Sequence, residues 1–119
     1  MNNKEFARHL EERTLDFACE ALELSASINY SIESKVVRNQ FSRSATSMGA
    51  NYHEANRSRS KAEFRSKIRI CEGESVETLY WIKLALRKKM CKESQASGLL
   101  KEVNELIAIF TSIGRGLRN

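Results

Sequence analysis

The chain has 119 residues, 20 Lys and Arg against 15 Asp and Glu, a formal charge of +5, no proline, five glycines and three cysteines. That length fits one domain over residues 1–119 that buries its own core, and the isolated, odd-numbered Cys19, Cys71 and Cys91 offer neither a disulfide framework nor a Cys-x-x-Cys metal or redox motif, so they read as buried free thiols. With no apolar leader segment and nothing near the roughly 18 apolar residues of a membrane span, a soluble, cytoplasmic protein without a membrane partner is expected.

Helix formers are abundant and no stretch alternates with period two, which predicts an all-α fold. Residues about 3–29 carry the first helical stripe, through Phe6, Leu10, Phe17, Ala21, Leu24 and Ile28 with Leu15, Ala18 and Leu22 beside it. Asn29-Tyr30-Ser31-Ile32 interrupts the pattern, and Ser31 or Ser34 can cap the next segment. The second helix, about 35–56, presents Val37, Phe41, Ser44 or Ala45, Met48, Tyr52 and Ala55, with Gly49 tolerated where packing compensates for its weak helix propensity. Asn56 to Arg59 turns the chain into the organising element, a long third helix from Ser60 to Cys91 whose apolar or small residues recur through Phe64, Ile68, Cys71, Ser75, Leu79, Ile82 and Leu86. It opens on a capping box, Ser60-x-x-Glu63, and closes on Arg87, Lys88, Lys89 and Lys92, cations suited to the negative end of a helix dipole. Ser94 to Gly98 reads as the last turn. Leu99, Val103, Leu106, Ile107, Phe110, Ile113 and Leu117 then form the fourth helix, with Gly114 and Gly116 at its end. Short turns between four helices predict an antiparallel up-down-up-down bundle with a long third stave.

Some apolar residues exceed what one bundle interior needs. Val76, Tyr80, Trp81 and Leu84 widen the apolar surface of the third helix, and Ile109 does the same on the fourth. They form a candidate surface for self-association; scattered exposed apolar residues are the plain alternative.

Catalytic and metal chemistry find little footing. A carboxylate-bridged di-iron bundle needs Glu-x-x-His on two helices, whereas His9 precedes Glu12 and His53 adjoins Glu54, so neither a metal nor another cofactor is expected. An Arg-x-x-x-x-His ribonuclease pair is absent, because Arg43 stands where the histidine would follow Arg38. No Ser/His/Asp or Cys/His set and no glycine-rich phosphate loop occurs, and a non-enzyme is the expectation.

Charge is unevenly placed. Lys35 to Arg69 holds nine Lys or Arg and only Glu54 and Glu63 as acids, while the first helix is rich in Glu, so a basic end is expected where the second and third helices meet. Arg57, Arg59 and Lys61 lie at the positive end of the third helix's dipole, where cations are mildly destabilising, and Lys61, Arg65 and Arg69 continue as a stripe every four residues. That pattern suits a phosphate backbone or an acidic protein surface; a solvated charged face is the alternative. No aromatic interleaves these cations, so base stacking among them is not indicated.

Arg43-Ser44-Ala45-x-Ser47-Met48-x-Ala50-Asn51-x-x-Glu54, then Phe64, then Glu77-Thr78-x-Tyr80-Trp81-Ile82, resembles the bacterial four-helix-bundle proteins first described as encoded within 23S ribosomal RNA intervening sequences. The likeness covers nearly the whole chain, departing from the pattern at Cys71 and Gly73. It implies a four-helix protomer, and homo-pentamers like those of the related accessory proteins of diversity-generating retroelements, whose basic surfaces are thought to bind nucleic acid. It implies no catalytic activity, and the family's "S23 ribosomal protein" label, inherited from genomic location, says little about a ribosomal role. Physically, Arg43, Ser44, Asn51 and Glu54 on one helix and Glu77 and Thr78 on the facing one suit an interhelical hydrogen-bond network that sets register.

Two functions from different classes follow. One is a homo-oligomeric, RNA- or DNA-associated accessory protein of the 23S rRNA intervening-sequence type; the other is a protein-binding scaffold whose basic patch meets an acidic partner.

Overall fold

Asn2 accepts the Glu5 N–H through its side chain and so starts α1, Asn3–Ser27, which ends where Ile28 turns extended. The computed structural model describes residues 1–117. Helix α2, Ile32–Ala55, begins three residues before the expected position, because Ser31 and Ser34 cap each other: Ser34 N–H donates to Ser31 Oγ at 3.0 Å and Ser31 N–H to Ser34 Oγ at 2.8 Å. Two orphan donors are thereby satisfied one turn earlier than propensity alone suggests. Helix α3, Lys61–Arg87, is capped by Ser60 as anticipated, while the Glu63 carboxylate reaches past Ser60 to the Arg59 N–H.

The end of α3 corrects the sequence reading. The helix stops at Arg87, not Cys91, because Lys89 adopts a left-handed conformation with φ of 56°. Lys89 N–H then bonds to the Leu86 carbonyl at 3.0 Å and Met90 N–H to the Ala85 carbonyl at 2.8 Å, the paired bonds of a Schellman motif with lysine where glycine usually stands. Helix α4, Glu93–Gly116, therefore starts at once, and Ser94 to Gly98, expected as a turn, lies inside it. A side chain in the left-handed region costs roughly 1–2 kcal/mol. Lys89→Gly should raise the unfolding free energy by about 1 kcal/mol, a shift of about 4 °C in a thermal melt. An unchanged or lower melting temperature would show that the lysine is not strained there.

The four helices form an antiparallel bundle about 45 Å long with no strand among the described residues. At about 1.5 Å per residue the 27 residues of α3 nearly span it. Phe17, Ala45, Met48, Ile68, Ile82 and Phe110 are among the fully buried residues, and Tyr52 meets Phe110 with ring centroids 5.7 Å apart. Helices adjacent in sequence pack extensively, whereas α1 and α4 touch little. Arg13 bridges that gap, with a fork onto Glu102 (Nε to Oε2 2.5 Å, NH2 to Oε1 2.7 Å) and a third bond to Glu105. Elsewhere the α1–α4 seam gapes into an open cleft lined by Glu20, Glu23, Ser94 and Gln95. Opposite it, α1 and α2 approach closely at Gly49, where an added Cβ would lie 3.0 Å from Thr14 Cβ and Oγ1.

The broad apolar stripe of α1 is only partly covered. Phe6, Leu15 and Leu22 are exposed, contrary to their placing in or beside the seam, and Cys19 is exposed as well. Cys71 is buried, and burial pushes its thiol up to about 12; half-buried Cys91 is shifted the same way. No helix among the described residues is long and apolar enough to cross a membrane. The antiparallel path also divides the basic segment: Arg57, Arg59 and Lys61 sit at one end of the bundle, while Lys35 and Arg38 lie at the other, so there is no single basic end.

Candidate nucleic-acid interface

The turn from α2 to α3 is built around Glu11 of α1. Its carboxylate accepts from Asn56 Nδ2 at 2.8 Å and from Arg57 NH1 at 3.3 Å, and it contacts His53 Nδ1 at 3.0 Å. Partial burial pushes this carboxyl up, but those bonds and the nearby positive charge outweigh it and hold it below the ordinary carboxylate range. Arg57 also donates to the His53 carbonyl at 2.7 Å. It thus has a part in the fold: it neutralises Glu11 and satisfies a carbonyl at the end of α2.

The other four cations of the predicted patch form no ion pair among the described residues. Arg59 and Lys61 line a cleft of about 330 Å³ with Asn56, Ser58, Ser60 and Phe64, and the enclosed Ser58 Oγ has no hydrogen-bond partner. Arg65 is half-buried, with its Nε enclosed and unpartnered, whereas Arg69 is exposed. Lys67, which the sequence reading passed over, is held by Glu54 at 2.9 Å.

The family fingerprint lies along the α2–α3 contact. Arg43 extends one guanidinium nitrogen to Glu74 at 2.8 Å and the other to Glu77, whose carboxylate also accepts the Trp81 indole N–H at 3.0 Å. The indole hydrogen bond and the Arg43 charge together outweigh burial and hold the Glu77 carboxyl below its ordinary range. Beneath this pair Thr78 Oγ1 lies 2.9 Å from Ser44 Oγ and 2.7 Å from the Glu74 carbonyl, both hydroxyls fully buried. Asn51 does not join them; its amide bonds to Ser47 within α2. Glu74, Lys67 and the Trp81 indole were not foreseen, although Glu74, Glu77 and Trp81 stand at offsets of three and four, one face of a helix opposite Arg43.

Of the proposed self-association flank, Val76 and Tyr80 are exposed, at 50% and 58%. Leu84 is half-buried, and Trp81 and Ile109 are half-buried against the protomer's own core. Among the described residues no three His, Cys, Asp or Glu side chains gather in a way that would hold a metal ion.

Residues 3–112 match the family model described as 23S rRNA-intervening sequence protein. The chain is also similar to a crystal structure of a protein with unknown function from the S23 ribosomal protein family of Bacteroides thetaiotaomicron, with 30% identity and a TM-score of 0.81 over 87% of this chain and 96% of that one. No curated protein matches it.

Proposed function

We propose, for a chain that belongs to the 23S rRNA-intervening sequence protein family, a non-enzymatic role as a cytoplasmic, homo-oligomeric accessory protein that grips the phosphate backbone of RNA or DNA. The observation that supports it is the pair Arg59 and Lys61, which flank a cleft at the positive end of α3 and whose side chains form no ion pair among the described residues. Arg69 extends the patch along α3. Folding has little use for cations at that position, while a phosphate would meet both their charge and the helix dipole.

Reversing Arg59, Lys61 and Arg69 to Glu should abolish binding to unrelated sequences alike, because phosphate contacts carry no base information, and the salt dependence of the wild type should be steep, because neutralising phosphates releases counterions. Arg65 is spared in this design, since its half-buried guanidinium would leave an enclosed carboxylate. The same reversal at Lys88, Lys89 and Lys92 should matter less. Gel-shift titrations at two salt concentrations, with helicity checked by circular dichroism, decide it. Wild type that binds without salt sensitivity, or a reversed variant that binds as tightly, would instead favour a scaffold whose basic patch meets an acidic protein.

Assembly is the second part of the proposal. Val76 and Tyr80 on α3, with Leu84 beside them, offer apolar area that the protomer leaves uncovered. Light scattering should return a mass well above 13.6 kDa, with a pentamer favoured by the family resemblance. A monomer at tens of micromolar would reject it.

A further inference from the structure

At the opposite end of the bundle, beside the α1–α2 turn, lies a polar cleft of about 290 Å³ lined by Ser25, Tyr30, Lys35, Arg38, Asn39 and Ser42. Four of these residues belong to one face of α2, at offsets of three, four and seven from Lys35. The side chains of Lys35, Arg38 and Asn39 make no hydrogen bond or ion pair among the described residues, although Lys35 and Arg38 are like charges one turn apart. Such a pair weakens an isolated helix slightly, and no acid lines the cleft to offset it. The floor, by contrast, is set: Ser42 Oγ donates to Ser25 Oγ at 2.9 Å, and Ser25 Oγ in turn to the Arg38 carbonyl at 3.4 Å. Tyr30 also lines it, 69% exposed, an aromatic ring largely open to solvent.

We infer that this cleft is a site for one nucleotide unit, with its phosphate between Lys35 and Arg38 and its base stacked on Tyr30. The volume falls just short of the range of small-molecule sites, about 300 to 1,000 Å³, which admits a single unit at most and no duplex. Cations with an adjacent exposed ring are what an unpaired nucleotide recognises, since every base has a face to stack. The ring beside the Arg59 patch, Phe64, is half-buried against the protomer's own core, so the two ends differ in kind: one tracks backbone, the other holds a flipped or terminal residue. The inference rests on the nucleic-acid reading above only for the polymer; a free mononucleotide offers the same chemistry.

Calorimetric titrations of the full chain with uridine and adenosine monophosphates, a single-stranded ten-nucleotide RNA and a blunt RNA duplex separate these sources. Saturable binding of the monophosphates is expected, while the single strand can bind through either end. Lys35→Glu with Arg38→Glu should abolish monophosphate binding, Tyr30→Ala should weaken it on the order of tenfold, and Tyr30→Phe should retain it. The Arg59, Lys61 and Arg69 reversal should leave monophosphate binding unchanged, so this site can fail while the backbone patch stands, and the reverse. Wild type that binds no monophosphate at millimolar concentration overturns the inference. So does a Lys35/Arg38 double variant that binds normally, or a Tyr30→Ala variant of undiminished affinity. A salt-sensitive duplex interaction lost only with the Arg59 set, seen together with no monophosphate binding, supports the backbone patch alone and overturns this cleft.

Discussion

Phe110→Ala should lower the unfolding free energy by about 3–5 kcal/mol, the cost of emptying a large aromatic site that cannot collapse. Phe110 is wholly excluded from solvent and packs against Tyr52 of α2, so its ring joins α4 to a helix that is not its neighbour in sequence. Removing it deletes apolar burial from the centre of the core and leaves the Tyr52 ring without its partner. Small domains have only about 5–15 kcal/mol to lose, so this single change approaches the margin. Urea titrations at one fixed protein concentration give the comparison, because assembly would otherwise shift the midpoint. A loss under about 1 kcal/mol would mean that α4 does not pack across the bundle as described.

Gly49→Leu should cost about 2–3 kcal/mol, although leucine is the better helix former by close to 1 kcal/mol. The reason is the approach of α1: a Cβ at position 49 meets Thr14 Cβ and Oγ1 at 3.0 Å and the Thr14 backbone carbon at 3.4 Å. The side chain can yield, but the backbone cannot. Gly49→Ala sets propensity against the same contact and should fall near neutral, and Thr14→Ala should remove its Oγ1 part while the Cβ part stays, making the pair non-additive. A leucine variant as stable as wild type would show that the two helices are not held together at this point.

The four helices were legible because each buries one face, and residues such as Val37, Phe41, Met48 and Tyr52 repeat at the spacing that face requires. Their ends were legible only where a residue announces the cap. Ser60 did; Lys89 did not, since a lysine in the left-handed region carries no sign of it in sequence, and Gly98, which looks like a stop, is helical. Periodicity also overstated the interior: Leu15 and Leu22 lie beside the stripe of α1, yet two positions on from Arg13 and Glu20, which face α4, they stand roughly 200° around the helix and outside its covered face. In the polar seam, the partnership of Arg43 with Glu77 was readable from facing positions. The second acid, Glu74, and the indole of Trp81 depend on which rotamers the packed helices select, and spacing does not carry that. Arg57 was read as spare charge because its partner, Glu11, lies on another helix.

The loosely closed seam between α1 and α4 has a kinetic meaning. Nearly all packing joins helices adjacent in the chain, so each helix pair can form by closing a short loop, and topology of this low contact order belongs to chains that fold in microseconds to milliseconds. The Arg13 fork onto Glu102 and Glu105 links residues about ninety positions apart and has the largest loop to close. It belongs on the native side of the barrier, where loss of the guanidinium speeds unfolding and leaves the refolding rate almost untouched.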